Sequence, residues 1–456
     1  MTSLQRNPIK QLFRWSQARV NPDVRHRIAL KKSALQGQWL TEDEYRQIQF
    51  VELKKLLWHA TQTTVYYREL FDRLGLRVED IRSLSDYRRY VPVLEKQELK
   101  QRLDALISNK WRDRCEICRT TGSTASPTPY AEPVPNTALV ALWALVDDLC
   151  QITGDERTLH LTGRPLSSGE HHVWDPKHNL HRYSFYDLAQ DGFQELLDFI
   201  LRWRPEFVYG YASVLDAVAE ALEAQGHTGL GVKIVQSHSE PLYSHTKARM
   251  ERVFGGHVHN HYGCCEIPHL GVDCREHQGI HLFDHLRLFE VEPISDQEPD
   301  TGNLIITDLH NYAMPLLRYR IGDVVQMDRR PCRCGQSLPR VTVQGRTCDL
   351  IRSKTGSIVG PVFFEQMMDP AQIIKYMIHQ PSVDRMDVHL VPAEKYSHDY
   401  GAYMQRQIRD RLGAVDVRLL LEREIDDKIA GKARSIRSDV SAEMARAATA
   451  NAAPLP

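Results

Sequence analysis

The sequence has no long apolar run. Its longest, Ala138 to Val146, is nine residues and stops at Asp147 and Asp148, against the roughly 20 needed to cross a bilayer. It has no excess of either charge. Against 58 Lys and Arg stand 59 Asp and Glu, a net charge of -1, and that balance removes any global electrostatic case for nucleic acid or an anionic membrane. The opening stretch MTSLQRNPIKQLFRWSQARV carries basic residues but no apolar core, so no secretory signal is expected. Gly and Pro, 25 and 23 among 456 residues, are too few for a collagen-like or low-complexity chain. The nine cysteines are odd in number and several are closely spaced, which suits reduced thiols or metal ligands better than a disulfide framework. A cytoplasmic protein is expected. What is present is ordinary globular material, 42% hydrophobic and 26% charged, in a chain long enough for more than one domain and a large core.

Periodicity sets out the elements. Leu53, Leu56, Leu57 and Ala60 recur on one face of a helix, within an opening helical segment over 1–110. A strand-like stretch follows at Val91–Leu94. LHLTG (159–163), FVYGY (207–211), KIVQS (233–237) and NLIITD (303–308) read as strands. Val214, Ala217, Val218, Ala221 and Leu222 keep helical spacing, with Ser213 and Asp216 placed as a capping box. Alternation of this kind argues for an α/β fold with a largely buried sheet. Turn formers and charge over 331–349 interrupt it, and 350–441 read as a smaller lobe. The Ala-rich end, 442–456, lacks large apolar anchors and is expected to fray.

Five short stretches carry chemistry. RTTGSTASPTPY (119–130) is a hydroxyl-rich loop whose backbone N–H groups and Ser/Thr donors suit phosphate oxygens. HYGCCE (261–266) ends in a carboxylate suited to a divalent cation. In MPLLRYRIGD (314–323), Asp323 offers two acceptor oxygens to two adjacent hydroxyls, as acidic residues do to a ribose diol. GRTCD (345–349) supplies Arg346, and AGKAR (430–434) a lysine beside glycine. Each alone is matched by ordinary surface loops.

In this order the five resemble the adenylate-forming superfamily, in its phenylacetate–CoA ligase branch with capsular-polysaccharide-type relatives. TTGSTASPT, YGCCE, YRIGD, GRTCD and Gly431-Lys432 correspond to that family's TSGTTGKPT, YGSTE, YRTGD, GRSDD and C-terminal GK. ELKKLLWHATQTTVYYRELFDRLGL (52–76), RPEFVYGYASVL (204–215), SEPL (239–242) and DLHNYAMPLLRYR (308–320) follow the branch as well.

The resemblance implies a large adenylation domain over 1–347 with an α/β core over 111–347. A small mobile α+β domain follows over 348–441, turning on a hinge at Cys348 and Asp349. It implies a reaction in two steps: a carboxylate attacks the α-phosphate of ATP with Mg²⁺ present, and a thiol such as CoA, or else an amine or hydroxyl, displaces AMP. A nucleotide-binding relative without catalysis is the third reading. By the same resemblance Thr120, Thr121, Gly122, Ser123 and Thr124, with the loop on to Thr128, hold the β- and γ-phosphates. Ser239, Glu240 and Pro241 border adenine, and Tyr262, before Gly263, stacks on it. Glu266 holds Mg²⁺, Asp323 and Arg346 the ribose, and Lys432 bridges the substrate carboxylate and the α-phosphate. Tyr130, Trp143, Tyr211, Ala212, Ser237 and His261 line the acyl pocket, an aromatic setting for an aromatic or heteroaromatic acid. The sequence departs from the family at Ala125 and Ser126, where a Gly and a Lys are expected, at Cys265 for Thr, and at Cys348 for the first hinge acid.

Cys332-x-Cys334, followed by Gly335, suits two thiolates on one metal, and CREHQGIH upstream holds Cys274, His277 and His281. The resemblance implies a structural zinc on Cys274, His281, Cys332 and Cys334, with His277 as the alternative fourth ligand. Cys115 and Cys118 read as core thiols, and the neighbours Cys264 and Cys265 do not bridge without strain. The expected partners are a small-molecule acid and an acyl acceptor, with neither nucleic acid nor membrane, and a homodimer is allowed.

Overall fold

The computed structural model describes residues 22–120, 127–162, 166, 170–185, 190–294, 298–346, 350–354, 358–359, 363–364, 367–369, 371–425, 428–429, 432–433 and 435–441. Helices come first: α1 (Pro22–Gly37), α2 (Glu42–Thr63), α3 (Val65–Leu74), α4 (Leu84–Tyr90) and α5 (Lys96–Leu106). A capping box starts α2, the Thr41 N–H donating to the Glu44 carboxylate at 2.8 Å while the Thr41 hydroxyl accepts from the Glu44 N–H. Leu53, Leu56, Leu57 and Ala60 on α2 are fully buried, so the apolar face read from the sequence faces the core. Each of those leucines contributes roughly 1.5–3 kcal/mol by leaving water. The stretch at Val91–Leu94 is not a strand. Pro92 has no N–H to give a ladder, and only Leu94 pairs, in a single bridge to Tyr319.

A hairpin of β1 (Cys115–Arg119) and β2 (Pro129–Pro133) follows, then α6 (Thr137–Cys150). The α/β region runs β3 (Thr158–Thr162), β4 (His172–Asp175), β5 (Leu180–Ser184), α7 (Gln190–Trp203), β6 (Phe207–Tyr211), α8 (Ala212–Ala224), β7 (Ile234–His238), α9 (Ser244–Phe254) and β8 (His257–Tyr262). Antiparallel strands β9 (Gly271–Asp273), β10 (Ile280–Leu282), β11 (Arg287–Pro293), β12 (Thr301–Asp308), β13 (Tyr319–Asp328) and β14 (Arg340–Arg346) complete it. Among the described residues twelve strands join in one sheet, in the order β11-β12-β13-β14-β10-β9-β8-β7-β6-β3-β5-β4. Strands β5, β3, β6, β7 and β8 are parallel, and the pairing turns antiparallel at β8–β9. The α/β class therefore holds.

The parallel half is buried on both faces. Leu159, Leu161, Val208, Val235 and Val258 pack under α7, α8 and α9, while Phe207, Ile234 and Val272 pack under α6 and α1. Helix α8 does not begin with the expected box. Its N-cap is Tyr211, which makes no side-chain cap bond, and the Ser213 N–H donates instead to the Glu240 carboxylate at 2.8 Å. Asp216 lies 3.4 Å from Arg249. Local spacing suggested a cap that a residue from the next loop supplies.

The C-terminal part contains β15 (Ile351–Arg352), β16 (Ile358–Val359), β17 (Ile373–Ser382), β18 (Arg385–Pro392), α10 (His398–Leu412), β19 (Asp416–Leu421), β20 (Lys428–Ile429), β21 (Lys432–Ala433) and β22 (Ile436–Ser438). Its sheet order is β19-β18-β17-β22, and its core of Ile378, Val388, Leu390, Met404, Ile408 and Val417 is its own. Tyr243, the N-cap of α9, touches it, with its hydroxyl 3.4 Å from the Ser435 hydroxyl. The hinge residues Cys348 and Asp349 and the segment 442–456 lie outside the described residues. No helix of the described residues is long and apolar enough to cross a membrane.

Candidate active site

Parallel strands end where ligands bind in open α/β sheets, at the carboxyl ends beside a change in strand direction. Here β6 ends in Tyr211, β7 in His238 and β8 in Tyr262, and the direction reverses after β8. The hydroxyl-rich loop is anchored at its neck. The Thr120 N–H donates to the Thr128 carbonyl at 2.9 Å, and the Thr128 N–H donates to the Thr120 hydroxyl at 2.9 Å. Thr121, Gly122, Ser123 and Thr124, with Ala125 and Ser126, lie outside the described residues.

Glu266 is buried and lines a cavity of about 30 Å³ with Tyr130, Cys265, Arg287, Asp308 and Asn311. The Tyr319 hydroxyl donates to Glu266 Oε1 at 3.0 Å, and Lys96 Nζ stands 3.2 Å from the same oxygen. Both contacts fall on Oε1. Burial, with Glu266 beside it, holds the Tyr319 phenol well above its ordinary range, so it stays a donor. The segment after Glu266 is pinned from below. Arg287, fully buried, donates to the carbonyls of Pro268 and His269, and its Nε lies 3.7 Å from Asp308.

Tyr262, at the end of β8, has its hydroxyl donating to Asp323 Oδ2 at 2.7 Å. Asp323 and Arg346 are direct partners across β13 and β14, with Arg346 Nε 3.8 Å from Asp323 Oδ1. Gly322 holds a φ of +91° that an L side chain rarely adopts, and it turns Asp323 out at this point. Gly263 follows Tyr262 closely under the His269 backbone, where an added Cβ would meet the His269 nitrogen at 2.9 Å. Ser239, with φ +68°, Glu240 and exposed Pro241 form the loop after β7. Glu240, expected beside adenine, has one carboxylate oxygen on the N-terminus of α8. Of Lys432 only its backbone place on β21 is described. Gly431 lies outside.

The six residues expected around the acyl group fall into separate places. Trp143 on α6 packs on His269 at 4.3 Å and His261 at 6.1 Å between ring centroids, and Tyr211 meets His238 edge-on at 5.4 Å. His261 and His269 stack, with Nε2 and Nδ1 2.8 Å apart. Burial drives both imidazoles down, His269 to about 3 and His261 well below its ordinary value, so the pair is neutral at any physiological pH. Tyr130 lies apart from this row, beside Glu266, and Ala212 is the first residue of α8. Ser237 points to the opposite face of β7 from His238 and His261, because strand side chains alternate. Its buried hydroxyl has no partner among the described residues.

Cys274, His281, Cys332 and Cys334 place one ligand atom each within 4.8 Å of one another. Cys274 and Cys332 sulfurs are 3.7 Å apart, and Cys334 sulfur is 3.5 Å from His281 Nε2. Tetrahedral zinc with bonds of about 2.3 Å to sulfur separates its ligand atoms by roughly 3.7 Å, so the donors suit that ion. Burial holds the His281 imidazole down at about 4, neutral and able to ligate. His277 is not in this set. Its φ of +48° carries the ring away, and Nδ1 sits 2.6 Å from Asp273. Cys115 and Cys118 are half-buried on β1 rather than in the core.

Local spacing did not find Lys96, Arg287, Asp308, His238 and His269, since each reaches the site through the fold. Tyr319 lay within the YRIGD stretch and was readable there.

No protein-family model matches the chain. It is 24% identical over 423 residues to the phenylacetate-coenzyme A ligase of Thermus thermophilus, covering 84% of this chain and 89% of that one. To protein CapK of Staphylococcus aureus it is 21% identical over 312 residues, 66% of this chain and 68% of that one. Its fold matches 2-hydroxyisobutyryl-CoA ligase in the postadenylation state with TM-score 0.70 at 16% identity, covering 91% of this chain and 94% of that one. Against the same ligase in the thioesterification state the TM-score is 0.56. The chain is thus similar along most of its sequence to named ligases of the adenylate-forming kind and shares its fold with another of them.

Proposed function

We propose that the protein is an AMP-forming ligase that activates a carboxylic acid, aromatic or heteroaromatic, as an acyl-adenylate and passes the acyl group to a thiol such as CoA. The observation that carries this reading is the buried carboxylate of Glu266, whose Oε1 is engaged by Lys96 and Tyr319. It stands at the strand ends beside the anchored phosphate loop and the Tyr262–Asp323–Arg346 group. The names of the relatives support the same chemistry: the curated ones include phenylacetate-coenzyme A ligases, and the ligase alike in fold binds an acyl-adenylate and CoA.

In this reading the Glu266 carboxylate would hold Mg²⁺, which would supply charge neutralisation to the phosphates, while Lys96 keeps Oε1 oriented. The loop from Thr120 to Thr128 supplies N–H and hydroxyl donors to the phosphates, Asp323 accepts from the ribose and Arg346 lies beside it. Tyr262, tied to Asp323, offers its ring to adenine. Lys432 comes to the carboxylate and α-phosphate from the small domain, which turns about Cys348 and Asp349. Such chemistry is mostly positioning and charge stabilisation. Cys274, His281, Cys332 and Cys334 would hold a structural zinc that would tie the β9–β10 turn to the 332–334 turn. The protein acts in the cytoplasm in this reading.

The test is pyrophosphate release from ATP and Mg²⁺ across a panel of aromatic, heteroaromatic and aliphatic acids, followed by AMP release on adding CoA, amines or alcohols. Acid-dependent release with AMP freed by CoA is expected. AMP freed only by an amine or alcohol replaces the acceptor, and silence across the panel with ATP still bound overturns the ligase reading.

A further inference from the structure

A second cluster of metal-binding side chains lies next to the cysteine set in sequence but shares no ligand with it. His259 near the start of β8, Asp273 at the end of β9 and His277 in the turn after it offer one ligand atom each within 4.8 Å of one another. His277 Nδ1 is 2.6 Å from Asp273 Oδ2, and His259 Nδ1 is 3.3 Å from Asp273 Oδ1 and 3.0 Å from the Asp273 carbonyl. The Asn260 N–H donates to Asp273 Oδ1 at 2.7 Å and fixes the carboxylate in place. Each carboxylate oxygen thus faces its own imidazole.

We propose that His259, Asp273 and His277 form a second metal site, taking a borderline divalent ion such as zinc or cobalt, independent of the Cys274 set. The spacing suits an ion. Bonds of about 2.0–2.1 Å to imidazole and carboxylate put ligand atoms roughly 2.9–3.4 Å apart; the 3.3 Å contact of His259 falls in that range, and the 2.6 Å contact of His277, a hydrogen bond without the ion, has to lengthen by about 0.3 Å to reach it. His259 is fully buried and Asp273 nearly so. A carboxylate and two imidazoles are expensive contents for a core unless something satisfies them. Both Nε2 atoms are buried and have no partner among the described residues. Each Nδ1 faces acceptor oxygens and so donates its proton to them in the metal-free protein, and an incoming cation displaces that proton on binding.

The neighbourhood offers a way in. His257, exposed on the same face of β8, has its ring 6.4 Å from that of His277. It also lines a surface cleft of about 570 Å³ with Gly231, Lys233, Glu251, Gly255 and Gly256. Three protein ligands leave the ion an open position facing that side, which His257 or water completes. The Asp273–Cys274 backbone joins this site to the cysteine set, yet the two share no ligand, and so they are separable by substitution.

Cobalt(II) is the probe. Added to metal-stripped full-length protein, it reports thiolate ligation by a sulfur-to-metal charge-transfer band, which only the cysteine set gives. Two cobalt ions per chain are expected, with that band complete after one. His277→Gln, at a half-exposed position, should lose one ion and keep the band, whereas Cys332→Ser should lose the band and keep one ion. Circular dichroism checks that both variants are folded, and His259→Gln serves if His277→Gln is not. One ion per chain in the unsubstituted protein, all of it reported by the band, would mean a hydrogen-bonded triad only. An unchanged count of two in His277→Gln and His259→Gln overturns the assignment equally.

Discussion

Replacing Arg287 by Met tests how the segment carrying Glu266 is held. Arg287 is 1% exposed and Asp308 is 7% exposed. Burial lowers the affinity of the guanidinium for its proton, and Asp308 opposes that. At the 3.7 Å that separates them, an effective dielectric of 20 gives an attraction of about 4.5 kcal/mol, set against several kcal/mol of desolvation per ion. The pair is therefore near balance as a pair and costly when halved. Arg287→Met strands the Asp308 carboxylate and the Pro268 and His269 carbonyls, and should destabilise the protein by about 3–5 kcal/mol. Met matches the stem but serves neither carbonyl. Asp308→Asn alone leaves the guanidinium unpaired. The double variant should lose less than the sum of the two, with a coupling of about 1–3 kcal/mol. Denaturant unfolding of the four proteins, followed by a probe in the large domain, supplies the cycle. Additivity within about 0.5 kcal/mol would refute the claim that these charges stabilise one another.

Three further outcomes are expected. Lys432→Ala should suppress acid-dependent pyrophosphate release strongly and leave ATP affinity nearly intact in a binding titration; unchanged release would remove Lys432 from the reaction. Cys332→Ser should lower the zinc content by one equivalent per chain and lower thermal stability, because a structural ion contributes binding energy to folding; elemental analysis showing no loss would dismiss the zinc. Burial, opposed by Lys31, pushes the Asp147 carboxyl up to about 7, so the folded state holds a proton that the unfolded state releases near pH 4. Stability from this group is then lost as pH rises from about 4 through 7. The advantage of Asp147→Asn over the parent should grow across that window, and a flat difference measured by urea unfolding would contradict the shift.

Much of the fold was legible because its signals are local. The runs read as strands at 159–163, 207–211, 233–237 and 303–308 overlap the strands at Thr158–Thr162, Phe207–Tyr211, Ile234–His238 and Thr301–Asp308, and the α2 face announced itself as a 3.6-residue period. Val91–Leu94 misled because Pro92 sits among β-formers whose ladder it cannot complete. The α8 cap misled because Glu240, 27 residues away, outcompetes the local Ser213–Asp216 option. The site divides in the same way. Glu266, Tyr262 and Asp323 sit in short stretches of recognisable order. Lys96 and Arg287 are ordinary surface-type residues until the chain folds, and only then do they converge on Glu266 and the loop after it. Cys274 and His281 were readable as a pair, but spacing alone could not choose His281 over His277. In the fold it is His281 that stands within 4.8 Å of the three cysteine sulfurs, while His277 stands beside Asp273.

Strand β8 has a consequence for what insertions this protein tolerates. One face of it presents His257, His259 and His261, and the other presents Val258, Asn260 and Tyr262. A single residue added or lost within the strand exchanges those two sets. The shift would carry the Tyr262 hydroxyl off Asp323, put Val258 among polar groups and bury imidazoles among the aliphatic side chains under α8 and α9. Length changes at the neighbouring turns leave the frame intact. Natural and engineered length variation in this chain should therefore gather in the loops on either side of β8 and be absent from its six residues.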